Sequence, residues 1–326
     1  MRRFLYAFCL LLISMSVMAS DFASYLETVR ERAISEGVSA ATIDRAFEGL
    51  LPDERVIGFD RKQPEFVQTF DQYLDARVSE FRQQEGKRLL ALHSELLARV
   101  QEHYGVEAEY IVAFWGLETS FGRYQGKYNI IRSLATLGHD PRRSTFFTSE
   151  LINALRILDE GHVAPENFVG AWAGAMGQGQ FLPSSFLRFA QDFDGDGKKD
   201  IWASEADVFA SIANYLKQAG WQEGAGWGGR VALPDLDFAS LKPETYDTRC
   251  RALRHHSEKL PLSQWQALGV TAESGLREAD YALVEPEEGA AEGYLAGGNY
   301  RAILNYNCAN KYAVSVGLLA DIYLYR

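Results

Sequence analysis

Apolar residues recur at helical spacing through most of the first 220 positions of the chain. Leu89, Leu92, Leu96 and Val100 share one face, with charged residues between them, and the stretch 20–100 reads as an N-terminal helical lobe. A denser apolar run over 101–126 predicts a buried helix that stops at Gly122. After the loop Asp140-Pro-Arg142-Arg143, the residues Phe147, Leu151, Leu155 and Leu158 mark another helix, closed near Gly161. Pro183 stands where it can open the helix carrying Phe186, Phe189 and Ala190, and residues 207–219 give one more. The pattern changes after Gly220. Gly224, Gly226, Gly228 and Gly229 predict a loop around Trp221 and Trp227. Alternating pieces such as 281–285, with turns at Pro261 and 286–289, predict a small β-containing lobe over 230–300. Tyr312, Val316, Leu319 and Tyr323 complete an amphipathic helix within 301–326, expected to pack on the core formed by 101–229. The predicted class is α+β, mainly α.

The first residues set the compartment. Arg2 and Arg3 precede an apolar run from Phe4 to Val17, and Val17-Met18-Ala19 fits a small-residue cleavage site. Residues 1–19 therefore read as a secretory signal peptide, too short for a stable membrane anchor. Cys9 follows Phe8 rather than the small residues of a lipoprotein site, so the expected product is a soluble periplasmic protein. Losing two arginines from 33 basic residues leaves 31 against 44 acidic ones, a mature charge of −13. That acidity argues against nucleic acid as a partner. Cys250 and Cys308 survive cleavage and are candidates for a disulfide in an oxidising compartment, which spacing alone does not decide. His255 and His256 lack further metal ligands at suitable spacing.

Three segments carry candidate chemistry. Glu118 is a carboxylate inside the apolar run Ile111–Gly122, with Phe114, Trp115 and Phe121 on its helix face. A charge there is costly unless paired or able to take up a proton. Apolar surroundings raise a carboxyl above its usual value of about 4.3, as glycosidases do for their general acid. A structural Glu held by an arginine or by backbone amides is an equally open reading of these residues. Asp192-Phe-Asp194-Gly-Asp196-Gly-Lys198 has the start of an EF-hand calcium loop, with the Lys198 carbonyl at position 7. Position 12 is Ala203 instead of Glu, and Glu205 and Asp207 follow as substitutes; an acidic solvated turn is the alternative. In the run from Gly170 to Phe186, small residues precede Gln178 and Gln180. Such amides suit sugar hydroxyl and N-acetyl groups, while tight helix packing would explain the small residues equally.

The ordered set Phe114-Trp-Gly-Leu-Glu118-Thr-Ser-Phe-Gly, Ala173-Gly-Ala-Met-Gly-Gln-Gly-Gln-Phe-Leu-Pro-Ser-Ser and Asp192-Phe-Asp-Gly-Asp-Gly-Lys-Lys-Asp-Ile-Trp resembles the lytic murein transglycosylase B family, glycoside hydrolase family 103. The resemblance runs from about residue 25 to the end and includes Tyr306-Asn307. It implies a lysozyme-like core and a structural Ca2+ site, with no organic cofactor. It also implies cleavage of the β-1,4 bond between N-acetylmuramic acid and N-acetylglucosamine in peptidoglycan strands, leaving 1,6-anhydromuramoyl ends. Glu118 matches the catalytic acid. Gln180, Asn307, Tyr73, Tyr215 and Tyr312 match glycan-contacting residues, and Arg142 and Arg143 match a basic pair near the glycan or its peptide. Asp192, Asp194, Asp196 and Asp207 match the calcium positions. Ala171 departs from a commonly polar position. The implied protein is a monomer, and other cell-wall enzymes are open as partners. A water-using muramidase and a non-catalytic wall-binding protein are the competing functions.

Overall fold

The computed structural model of the chain describes residues 21–62, 68–273, 276–285 and 292–324. The predicted signal peptide and the turn expected at 286–289 lie outside the described residues. Among the described residues no helix is long and apolar enough to cross a membrane. The architecture is helical with a small antiparallel sheet, as the sequence pattern predicts.

The chain divides into two compact units, each drawn from two stretches: Met1–Pro64 with Tyr124–Ser204, and Glu65–Arg123 with Glu205–Arg326. In the first unit, the helices Ile130–His139 and Ser144–Asp159 form an antiparallel pair. Asn129 caps the former by accepting from the Arg132 amide at 2.9 Å, satisfying a donor that the first helical turn leaves unpaired. A two-residue ribbon, β1 (Tyr128–Asn129) against β2 (Val169–Gly170), leads into the small-residue run.

The second unit holds the buried helix Ala108–Thr119, packed by the helices Glu80–Leu92, Ser94–Tyr104, Glu205–Gln218 and Asn310–Leu324. Leu89 to Val100 do not lie on one continuous helix. The chain breaks at His93, whose ring meets Trp115 at 5.9 Å and Phe209 at 5.5 Å. The break shifts the helical phase, so Leu97 is buried and Leu92 is 63% exposed. The sheet of this unit is formed by β3 (Gly228–Ala232), β4 (His256–Pro261), β5 (Thr271–Ala272), β6 (Asp280–Val284) and β7 (Glu292–Ala296), in the order β4-β6-β7-β3-β5. Val231, Leu262, Trp265, Tyr281, Leu283 and Leu295 cluster as its own core, and the Trp265 indole donates to the Tyr281 carbonyl at 2.9 Å.

Gly317 lets the last helix close on Trp227, since a Cβ there would stand 2.2 Å from the indole ring. The same indole donates to Asp321 Oδ2 at 3.0 Å. Burial pushes the Asp321 carboxyl up to about 6, and the indole hydrogen bond only partly opposes this. The folded value lies above the unfolded one, so the folded state binds the extra proton and stability falls as pH rises through the interval from about 4 to about 6. Asp321→Asn keeps an acceptor for Trp227 and removes the buried charge. The stability difference between variant and parent is expected to widen from pH 4 to about 6 and to level off above it. At pH 8 the variant's stability exceeds the parent's by on the order of 1–2 kcal/mol, after allowance for partial solvent screening. Parallel stability curves for the two proteins would contradict this.

Candidate active site

Glu118 stands half-buried near the C-terminus of the Ala108–Thr119 helix. The helix stops because Ser120 and Phe121 take left-handed conformations, φ 50° and 62°, which side chains other than glycine rarely adopt. The strain is held from several sides. The Phe121 amide donates to the Trp115 carbonyl at 3.2 Å, and the Gly122 amide donates to Thr119 Oγ1 at 2.9 Å. The Phe121 ring folds back over Gly116, where a Cβ would be 2.6 Å from it. Arg82 bridges the turn, donating to the Gly116 carbonyl at 3.0 Å and to Ser120 Oγ at 3.2 Å.

The carboxyl of Glu118 accepts a 2.5 Å hydrogen bond at Oε1 from the Tyr312 hydroxyl, brought in by the last helix. The Phe114 ring lies 4.7 Å from Tyr306 and 5.9 Å from Tyr312, and Tyr215 lies 4.6 Å from Tyr306. Burial first, and then the negative charge of Glu118, push the Tyr312 and Tyr306 hydroxyls well above the usual value of 10. Both stay protonated at neutral pH, and Tyr312 stays a donor. The carboxyl opens onto a cavity of about 680 Å³, whose lining includes Tyr73, Asn307 and Tyr312. Tyr215 is set by a 2.7 Å hydrogen bond from its hydroxyl to the Asn305 carbonyl. Of the candidate residues, the second unit therefore gathers Glu118, Tyr73, Asn307 and Tyr312 at one cavity, with Tyr215 in the aromatic cluster behind it.

The remaining candidates belong to the first unit, apart from Asp207, Cys250 and Cys308. Gln178 is buried, and its amide donates to the Trp202 carbonyl at 3.0 Å. Gln180 adopts φ 51° and donates to the carbonyls of Gly177 at 2.9 Å and Gln125 at 3.2 Å. The Ala171 amide donates to the Ala175 carbonyl at 2.8 Å, so this position is set by backbone pairing. Arg142 pairs with Asp140 at 2.7 Å and Asp60 at 2.9 Å, and Arg143 reaches Asp60 at 3.3 Å. These guanidiniums are anchored to carboxylates of their own unit.

The carboxylates of Asp192, Asp194 and Asp196 are exposed and each offers an oxygen within 4.8 Å of the others. Gly195 and Gly197 turn the loop with φ 79° and 90°, and the Lys198 amide donates to Asp196 at 2.8 Å. Three like charges converging on oxygen donors fit a hard divalent cation, which would remove their repulsion. Asp207 lies in the second unit, fully buried in the helix Glu205–Gln218; burial first, and then the Asp207 charge, raise the Tyr104 hydroxyl. Cys250 and Cys308 are joined as a disulfide, with Cα atoms 5.5 Å apart.

The transglycosylase SLT domain family matches residues 21–321. The chain belongs to this family. It is 36% identical over 232 residues to the membrane-bound lytic murein transglycosylase B of Escherichia coli strain K12, a match covering 70% of this chain and 60% of that relative's length. It is similar to SltB3 from Pseudomonas aeruginosa, solved in complex with NAG-NAM-pentapeptide. That structure shows 40% identity and a TM-score of 0.84, covering 94% of this chain and 80% of the other. It is also similar to the Escherichia coli lytic transglycosylase Slt35, solved in complex with calcium, with 27% identity, a TM-score of 0.75 and 92% of each chain covered. The resemblance read from the motifs, to the lytic murein transglycosylase B family, is borne out.

For a transglycosylase SLT domain, the residues that the sequence reading misses are those with no local signature. Arg82 sits in an ordinary charged helix, and only the fold sets it beside Gly116 and Ser120. Tyr306 is visible only as the residue before Asn307. Arg251, Arg254 and Lys311 line the Glu118 cavity without belonging to any motif.

Proposed function

We propose that this chain is a lytic transglycosylase that cleaves the β-1,4 bond between N-acetylmuramic acid and N-acetylglucosamine in peptidoglycan, leaving 1,6-anhydromuramoyl ends. The observation carrying this reading is the half-buried Glu118, held by Tyr312 against an aromatic cluster and open to a cavity of about 680 Å³. The protonated carboxyl gives its proton to the glycosidic oxygen as the bond to the anomeric carbon breaks through an oxocarbenium-like transition state. The carboxylate then takes the proton of the muramoyl 6-hydroxyl, whose oxygen closes on that carbon. The acid is restored and no water is consumed. One carboxyl suffices because the nucleophile is part of the substrate and already near the reacting carbon. Tyr312, neutral throughout, fixes the carboxyl through Oε1.

The test is the chemistry of the released ends. Digestion of peptidoglycan is expected to give anhydromuramoyl products, whereas reducible muramoyl ends would indicate a water-using muramidase.

The proposed cation at Asp192, Asp194 and Asp196 is calcium in a structural role, with the Lys198 carbonyl as a further proposed ligand. The support is the convergence of three carboxylates and the calcium complex of the similar Slt35. With a dissociation constant near 10⁻⁴ M, usual for extracellular sites, 1 mM calcium would stabilise by about 1.4 kcal/mol. The melting temperature is expected to rise by several degrees on adding calcium to chelator-treated protein. An unchanged melting temperature would remove calcium from the account. The proposed location is the periplasm, reached through the signal peptide read at residues 1–19, where the protein acts as a monomer on glycan strands. This location is supported by the cell-wall relatives.

A further inference from the structure

A carboxyl that serves two oxygens in turn must hold one orientation, and the chain just after Glu118 is strained. Ser120 and Phe121 lie in the left-handed region two and three residues beyond it. The start of the helix Glu80–Leu92 brackets this turn with three side chains. The Phe81 ring lies 6.5 Å from the Phe121 ring, Arg82 reaches Gly116 and Ser120, and Glu85 pairs with Arg123 at 2.8 Å.

Arg82 is the unusual member of this set. It is half-buried and pairs with no carboxylate among the described residues. Its guanidinium serves three neutral oxygens instead. Nε donates to the Gly116 carbonyl at 3.0 Å, Nη2 to Ser120 Oγ at 3.2 Å and Nη1 to the Ala76 carbonyl at 3.0 Å. Burial first, and then the charge of Arg77, lower its hold on its proton, a cost that no ion pair offsets. The fork of a guanidinium is planar and rigid, so bonds to separate segments fix those segments against one another. Ala76 belongs to the helix Phe70–Arg77, which carries Tyr73 and Arg77 to the cavity.

The backbone of Arg82 reaches a third segment. Its carbonyl accepts from the Tyr323 hydroxyl at 2.9 Å. Burial pushes that hydroxyl well above its usual value of 10, so it remains a donor. Gly86, one turn further on, makes room for the ring, since a Cβ there would stand 2.2 Å from it. Tyr323 sits on the helix Asn310–Leu324, the same helix that brings Tyr312 to Glu118. Arg82 thus touches both helices whose meeting makes the 2.5 Å bond between Tyr312 and Glu118.

We infer that Arg82 is a positioning residue for the reaction: it clamps the left-handed Ser120–Phe121 turn to the helices that carry Tyr73 and Tyr312, and so holds the Glu118 carboxyl in the orientation that serves both proton transfers. The inference rests on the proposed function and adds to it a residue outside the cavity lining.

The experiment compares kcat and KM on isolated glycan strands for the parent, Arg82→Met, and Arg82→Met combined with Ser120→Gly. Methionine keeps an apolar stem and removes the three side-chain bonds. Arg82→Met is expected to lose about 10–100-fold in kcat with KM within about twofold of the parent, because a carboxyl is misaligned and no substrate contact is removed. Glycine takes a left-handed conformation without strain, so adding Ser120→Gly is expected to return about threefold or more of the lost kcat. Arg82→Lys keeps the charge but cannot span three oxygens, and its kcat should fall between those of the parent and Arg82→Met. A merely structural role would lower the melting temperature and leave kcat unchanged in the folded variant, and that result overturns the inference. So would a kcat that Ser120→Gly fails to raise. Should Arg82→Met not fold, Arg82→Lys decides: an intermediate kcat supports the clamp, and the parent's kcat overturns it. A parent that releases no anhydromuramoyl ends would count against the proposed function instead. Hydrogen exchange at the Ser120, Phe121 and Gly122 amides then decides the inference without turnover. Faster exchange in the folded Arg82 variant supports the clamp, and unchanged exchange overturns it.

Discussion

Glu118→Gln is expected to lower turnover by about 10³-fold or more while leaving the fold intact, because in the proposed mechanism this one carboxyl is both general acid and general base. Glutamine preserves the shape of the side chain and still offers an oxygen to the Tyr312 hydroxyl, which now donates at 2.5 Å. The melting temperature of the variant should therefore stay close to that of the parent. Tyr312→Phe isolates the positioning part of the same interaction. It removes one hydrogen bond to a charged group and is expected to cost roughly 10–100-fold in kcat, with a smaller change in KM. Muropeptide release that survives Glu118→Gln in a folded protein would show that this carboxyl is structural.

Opening the Cys250–Cys308 bond is expected to have the largest effect on stability. The bond closes a loop with a sequence separation of 58, and removing that restraint from the unfolded chain costs about 4 kcal/mol on the loop-entropy account. At roughly 2 °C per kcal/mol for a chain of this size, the reduced protein should melt about 8 °C lower than the oxidised one. The effect reaches the cavity as well, since Cys308 lines it and Cys250 starts the turn that carries Arg251 and Arg254. Identical melting curves with and without reductant would show that the hydrogen bonds of Asn310 with Ala252, His256 and Tyr300 alone hold this segment.

The elements were legible where one physical rule dominates. The apolar spacing of Phe147, Leu151 and Leu155 gives a helix because that face has a core to cover, and all three are buried. Pro183 opens its helix because proline gives up no needed donor there. The β-containing lobe followed from turn residues and alternation, and the sheet β3–β7 occupies it. The break at His93 was not legible, since the leucine spacing is compatible with an unbroken helix and the cause is a distant pair of rings, Trp115 and Phe209.

The same division holds at the candidate site. Glu118 stood out because a carboxylate in an apolar helix needs a reason. Its partner Tyr312, a distant residue of the last helix, had to be supplied by resemblance. Residue type alone also does not say which way an amide points: Gln178 turns its donor to the Trp202 carbonyl inside its own unit. Arg251, Arg254 and Lys311 belong to segments far from Glu118 in sequence, and only the folded chain gathers their charge at one cavity.

The central claim is that the substrate's own hydroxyl, and not water, closes on the anomeric carbon under the control of Glu118. The most direct measurement is digestion of peptidoglycan in heavy-oxygen water, followed by mass spectrometry of the muramoyl ends. The account predicts 1,6-anhydromuramoyl ends that carry no heavy oxygen and resist borohydride reduction. Reducible ends labelled with heavy oxygen would contradict it.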